Sequence, residues 1–93
     1  MDTEFTMIMK EDENQGMQIN IIVFGPLTEL TGSNSFRLQN IKDTDQMIQC
    51  LHHLYPALIH SKFLIAVEKQ MITGNTILQN NDTIALLPPF SGG

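Results

Sequence analysis

Between Asp43 and Pro56 the sequence carries its one helix-length amphipathic period, and the rest of its apolar residues come in short strand-like runs. At ~100° per residue, Cys50, Leu54, Met47, Leu51, Tyr55 and Ile48 share one continuous arc, with Asp45, Gln46, Gln49 and His53 opposite. Asp43 or Thr44 supplies the N-cap, a side-chain oxygen for an amide the first turn leaves unpaired, and Pro56 closes the far end. A single apolar arc must be buried against something, and in 93 residues there is room for one core only. The constraint is severe: one helix, laid across one sheet.

The strands follow from alternation. Gln18-Ile19-Asn20-Ile21-Ile22-Val23-Phe24 puts Ile19, Ile21 and Val23 on one face and Asn20, Ile22 and Phe24 on the other, as suits a central strand. Gly25-Pro26 breaks it, and Leu27 to Leu30 forms a single helical turn ending at Gly32. Asn34 to Gln39 alternates as a half-exposed second strand. Beyond the helix, Phe63 to Val67 and Gln70 to Ile72 read as strands, Gly74-Asn75 and Asn80-Asn81-Asp82 as turns, and Thr83 to Leu87 as the last strand. The order β-β-α-β-β-β is an α+β roll, a mixed sheet on one main helix, spanning residues 18–93. Residues 1–17 contain the polar block Lys10-Glu11-Asp12-Glu13-Asn14-Gln15-Gly16 and read as a disordered leader, in part a cloning addition, with Met17 an alternative start.

Composition removes several function classes. No apolar stretch approaches the ~20 residues of a membrane span, and the acidic N-terminus is no signal peptide. One cysteine excludes an intrachain disulfide framework and a cysteine zinc cluster, so the cytoplasm is the expected location. A net charge of −5 without a basic stripe disfavours nucleic acid and anionic membranes and points to a basic protein partner. Cys50 as a nucleophile with His52 or His53 is opposed by geometry, since Cys50 lies at one edge of the apolar arc and the two histidines point well away from each other on the helix; it reads as a packed structural cysteine. His52, His53 and His60 fail as a metal site for the same reason, and no metal is expected. No glycine-rich phosphate loop follows any strand. The chain does not read as an enzyme on its own.

What remains is the tail, Pro88-Pro89-Phe90-Ser91-Gly92-Gly93, directly after the last strand. Two prolines favour extended backbone, and two glycines strip away side chains so that the end can enter a narrow slot carrying only the Gly93 carboxylate. On composition alone the same residues make an ordinary flexible chain end.

From Gln18 to Gly93 the sequence resembles the sulfur carrier small subunits of molybdopterin synthase, a ubiquitin-like β-grasp family. The residues that carry the resemblance are Val23 to Gly32, Ile65-Ala66-Val67, and Asp82 to Gly93 with the Gly-Gly end in register after the last strand. It departs from the family pattern at Asn80-Asn81-Asp82, at Glu68 and at Thr28, none of them in the tail. The resemblance implies a β-grasp fold and a chain that binds no cofactor itself. A ubiquitin-activating-like enzyme would use ATP and magnesium to adenylate Gly93. A sulfur donor protein would then convert the end to a thiocarboxylate, for delivery to cyclic pyranopterin monophosphate in the large synthase subunit. It also implies that Pro88, Pro89, Phe90, Ser91, Gly92 and the sheet face at Leu86 engage the partner, within a heterotetramer. Two alternatives keep the fold: a thiamine-type carrier serving thiazole synthesis, and a ubiquitin-like protein modifier or docking module.

Overall fold

The computed structural model describes residues 17–89. Its elements are β1 (Gln18–Val23), a 3-10 turn (Gly25–Leu27), α1 (Thr28–Thr31), β2 (Ser35–Gln39), α2 (Thr44–Leu54), a second 3-10 turn (Pro56–His60), β3 (Leu64–Val67), β4 (Gln70–Met71) and β5 (Thr83–Leu87). The five strands form one sheet in the order β2-β1-β5-β3-β4. Only β1 and β5 run parallel; β2 lies antiparallel to β1, and β3 antiparallel to both β5 and β4. With α2 packed on one face, this is the expected β-grasp arrangement. The leader assigned to residues 1–17 lies outside the described residues except for Met17, whose carbonyl already accepts the Asn40 N–H at 2.8 Å.

Alternation along each strand builds the core. The inner face carries Ile19, Ile21 and Val23 from β1, Leu38 from β2, and Ile84 and Leu86 from β5, all buried. Met47 and Leu51 of α2 close over them, joined by Leu27, Ile41, Leu58 and Leu78 from the connections. Each fully buried aliphatic side chain of this kind contributes about 1.5–3 kcal/mol. Phe36 and Tyr55 meet at a centroid separation of 5.3 Å and pin β2 to the end of the helix.

One member of the helical arc behaves otherwise. Leu54, expected to pack, is 49% exposed. The helix ends at this residue, and the 3-10 turn opened by Pro56 carries Leu58 into the core, where it is fully buried.

The start of α2 is tied to the loop before β5. Asp43 is the N-cap, its carboxylate accepting the Gln46 N–H at 2.9 Å. The Asn75 side-chain oxygen accepts the Asp45 N–H at 2.8 Å and the Thr44 hydroxyl at 3.2 Å, while Thr44 Oγ1 accepts the Thr76 N–H at 2.9 Å. Gly74-Asn75, which reads as a bare turn in the sequence, is thus a second cap for the helix and gives buried Thr44 its partners.

β3 and β4 are joined by two residues, Glu68 (φ 50) and Lys69 (φ 71), both in the left-handed region that a tight hairpin of this kind demands. Glu68 offsets its strain by gripping β5, its N–H donating to the Thr83 carbonyl at 2.9 Å and its carboxylate accepting the Thr83 N–H at 2.6 Å. Lys69 makes no comparable bond among the described contacts, so its Cβ is strain without return. Lys69→Gly is therefore expected to stabilise the fold by about 1 kcal/mol, read from urea unfolding midpoints at unchanged slope.

Candidate functional site

Of the residues assigned to the tail and its docking, the structure describes Pro88, Pro89 and Leu86; Phe90, Ser91, Gly92 and Gly93 lie outside the described residues. β5 delivers the chain to this point from the centre of the sheet, between β1 and β3. Pro88 is half-buried and Pro89 exposed, so the fold holds the chain at Pro88 and leaves Pro89 in solvent.

Leu86 requires a correction. Its side chain is fully buried, on the inner face with Ile84, and cannot touch a partner. Period-two alternation sends its neighbours Ala85 and Leu87 to the outer face instead. Register then extends that outer face across the sheet. Ile22 of β1 lies beside Ala85, Ala85 beside Ala66 of β3, and Ala66 beside Met71 of β4. One step nearer the tail, Leu87 lies beside Leu64, and Phe24 follows β1 with 45% of its surface exposed. Toward the other end of the sheet, the face turns polar with Arg37, Asn20 and Thr83 side by side. The apolar half is the half from which the tail emerges.

The loop after β1 packs against the tail's base. The Phe24 N–H donates to the Leu86 carbonyl at 3.0 Å, continuing the β1–β5 ladder by one rung. Gly25 follows with φ 61, and its bare Cα faces the Pro88 ring. The Thr28 hydroxyl donates to the Gly25 carbonyl at 2.8 Å, fixing the turn. The sequence marks Gly25-Pro26 only as a strand breaker. That it supports Pro88 depends on the β1–β5 register, which no local pattern reveals.

The other candidates stay apart. Cys50 is a free, partly buried thiol packed against the core. Among the described residues, no three of His, Cys, Asp and Glu come together in a way that could hold a metal ion. No helix among them is long and apolar enough to cross a membrane. A groove of about 220 Å³ between α2 and β3 is lined by Ile48, Phe63, Ile65 and Ile72, but its Thr44 and Asn75 are already engaged in capping the helix. The excess of acidic residues comes from the sequence before residue 17. Asp2, Glu4, Glu11, Asp12 and Glu13 precede residue 17, whereas within 17–89 Glu29, Asp43, Asp45, Glu68 and Asp82 are nearly matched by Arg37, Lys42, Lys62 and Lys69. The sheet face beside the base of the tail is apolar rather than acidic.

Comparison with known proteins agrees with this geometry. A family model described as the ThiS family matches residues 21–93. The molybdopterin synthase sulfur carrier subunit of Arabidopsis thaliana is 31% identical over 98 aligned residues, with 100% of both chains covered. Among solved structures, a chain from the complex of subunits 1 and 2 of the molybdopterin-converting factor of Helicobacter pylori is similar, with TM-score 0.63 and 26% identity over 83% of this chain and 100% of that one. The small archaeal modifier protein 1 of Methanosarcina acetivorans shares the fold, with TM-score 0.71 at 24% identity over 83% of this chain and 97% of that one.

The two faces of β5 separate packing from presentation. Leu86→Ala is expected to cost about 2–5 kcal/mol in urea unfolding, as a cavity in a filled core does, and Leu87→Ala under about 1.5 kcal/mol.

Proposed function

The chain belongs to the ThiS family, and on that footing we propose that it is the sulfur carrier subunit of a molybdopterin synthase, with Gly93 as the residue that bears the sulfur. The observation that carries the reading is the placement of the tail: a central strand ends at a braced Pro88, beside an apolar sheet face, four residues before the Gly-Gly end.

The chemistry follows from what a carboxylate lacks. As an anion it is a poor acyl donor, so an activating enzyme of the ubiquitin-activating type transfers AMP from ATP, with magnesium, to the Gly93 carboxylate and releases pyrophosphate. A hydrosulfide equivalent from a sulfur donor protein attacks the acyl carbon, AMP leaves, and a thiocarboxylate remains. The large subunit receives the tail in its active site, where the sulfur passes to cyclic pyranopterin monophosphate. Two such deliveries supply the two sulfurs of the dithiolene. The catalytic groups belong to the large subunit, and this chain contributes a tethered nucleophile at high effective concentration.

Each part of the carrier has a task in this scheme. Glycine at positions 92 and 93 leaves no Cβ to crowd the activating site. Pro88 and Pro89 reduce the freedom the tail loses on insertion, which lowers the entropic cost of docking. Ile22, Ala85, Leu87, Leu64 and Met71 form the apolar face that meets the large subunit, with Phe90 anchoring the tail beyond it. The Helicobacter pylori relative was solved as a complex of two subunits, which supports a large-subunit partner here. Likeness to the archaeal modifier is a likeness of fold alone.

Intact mass spectrometry of the chain, from cells that keep their activating enzyme but lack the large subunit, is the direct test. A mass gain matching one oxygen replaced by sulfur, localised to Gly93, is expected. An unmodified carboxylate beside a demonstrably competent activating enzyme, or lysine-linked conjugates in its place, would overturn the assignment. One residue added after Gly93 is expected to abolish molybdopterin formation in a reconstituted synthase, and Cys50→Ser to leave it unchanged.

A further inference from the structure

Two glycines in the first loop adopt left-handed backbone, and only one of them also needs the space. Gly25 has φ +61, and a Cβ built there would sit 3.3 Å from Cγ and 3.8 Å from Cδ of Pro88. Gly32 has φ +75, yet a Cβ there would meet nothing within 4 Å. Gly32 serves its turn as the left-handed C-cap of α1. Gly25 serves its turn and, in addition, leaves room for a proline 63 positions away at the root of the tail.

The turn that holds Gly25 is braced on both sides. The Phe24 N–H is bonded to the Leu86 carbonyl at 3.0 Å, two residues before Pro88. On the other side, the Gly25 carbonyl accepts the Thr28 hydroxyl at 2.8 Å and is also met by the Thr28 N–H. Pro88 has its φ fixed by its own ring and is followed by a second proline, so a tilt at Pro88 is passed on rather than absorbed. The Gly93 carboxylate lies five residues beyond Pro88, a span of at most roughly 17 Å, so the geometry at Pro88 and Pro89 sets where that reach begins.

We propose that Gly25, held by Thr28, is a positioning residue for the C-terminal tail: the space its missing Cβ leaves is the space the Pro88 ring occupies, and this fit sets the direction in which the chain leaves the sheet at Pro89. The inference deepens the carrier reading and rests on it, because direction matters only if the Gly93 carboxylate must reach a fixed point in a partner's active site. It also gives Thr28 a role. Its hydroxyl keeps the Gly25 carbonyl turned so that the Cα, rather than the carbonyl, faces the ring.

The test compares full-length Gly25→Ala, Gly32→Ala, Pro88→Ala and the Gly25→Ala/Pro88→Ala double variant with the parent chain. Amide proton–nitrogen spectra of Phe90 to Gly93 report the tail directly, whatever its chemistry. Steady-state adenylation by the chain's own activating enzyme, with ATP and magnesium, reports the consequence. Both glycine variants are expected to lower Tm to a similar extent, since each places a Cβ on left-handed backbone. Only Gly25→Ala is expected to shift the tail amides, and to lower kcat about tenfold through misplacement of the carboxylate. KM is expected to stay within about twofold, because the outer sheet face is untouched. In the Pro88→Ala background, where the ring carbon is gone, Gly25→Ala is expected to change kcat by less than about twofold, the signature of a direct contact.

Identical spectra and kinetics for Gly25→Ala and Gly32→Ala, or a Gly25→Ala effect of full size in the Pro88→Ala background, would overturn the proposal. A parent chain that the enzyme does not adenylate would sink the carrier reading instead, and the tail amides would still decide whether Gly25 sets the tail's direction.

Discussion

The parallel pairing of β1 with β5 is the contact on which the rest of this structure depends. It joins the first strand to the last across nearly the whole fold, with the Gln18 N–H on the Asn80 side chain, the Asn81 N–H on the Gln18 carbonyl and the Phe24 N–H on the Leu86 carbonyl. Closing so long a loop is entropically costly and brings no local reward, so the pairing stands only because both strands bury one face completely. Ile19, Ile21, Val23, Ile84 and Leu86 do so together, under Met47 and Leu51. Every later property of the molecule uses the geometry this pair imposes.

One consequence is that the strand paired on both sides is also the one that carries the C-terminal end. β5 is hydrogen-bonded on both sides, so the chain leaves the fold from its centre rather than from a fraying edge. The same pairing puts the loop after β1 beside Pro88 and assembles an apolar outer face from four strands next to the exit. The proposed carrier role, in which a reactive end is delivered into another protein's active site, would need such a mounting. Its origin must be fixed, its neighbourhood must bind, and only its last residues need conform to the receiving channel.

Around this centre, side chains reinforce short backbone pairings. The start of the helix is bridged to residues 76–78, with the Thr44 N–H on the Thr76 carbonyl and the Leu78 N–H on the Lys42 carbonyl, and Asp43, Thr44 and Asn75 add side-chain bonds across up to 32 positions of sequence. The β3–β4 hairpin has no glycine for its left-handed residues, and the Glu68 carboxylate compensates by capturing the Thr83 N–H. Glu68 and Thr28 are both departures from the family pattern, and each has a local structural task here: the first holds a strained turn to β5, the second holds Gly25.

The amino-acid sequence alone determined the helix, the strands and the inward faces, because periods of 3.6 and 2 residues are local properties of the backbone. Ile19, Ile21 and Val23 against Asn20 and Ile22 could be read directly, as could Met47 and Leu51, and a cap at Asp43 or Thr44 that the structure gives to Asp43. The sequence misled at Leu54, whose place in the core goes to Leu58 once Pro56 turns the chain. The partner role that the resemblance implies for Leu86 does not fit its full burial on the inner face of β5. Gly74-Asn75 and Gly25-Pro26 were legible only as chain breaks. Their tasks, capping a helix about 30 residues away and seating a proline 63 residues away, arise from strand order and register. Those are settled by the joint burial of distant segments, a condition that exists only when the whole chain has closed on itself, and the tertiary structure alone decides it.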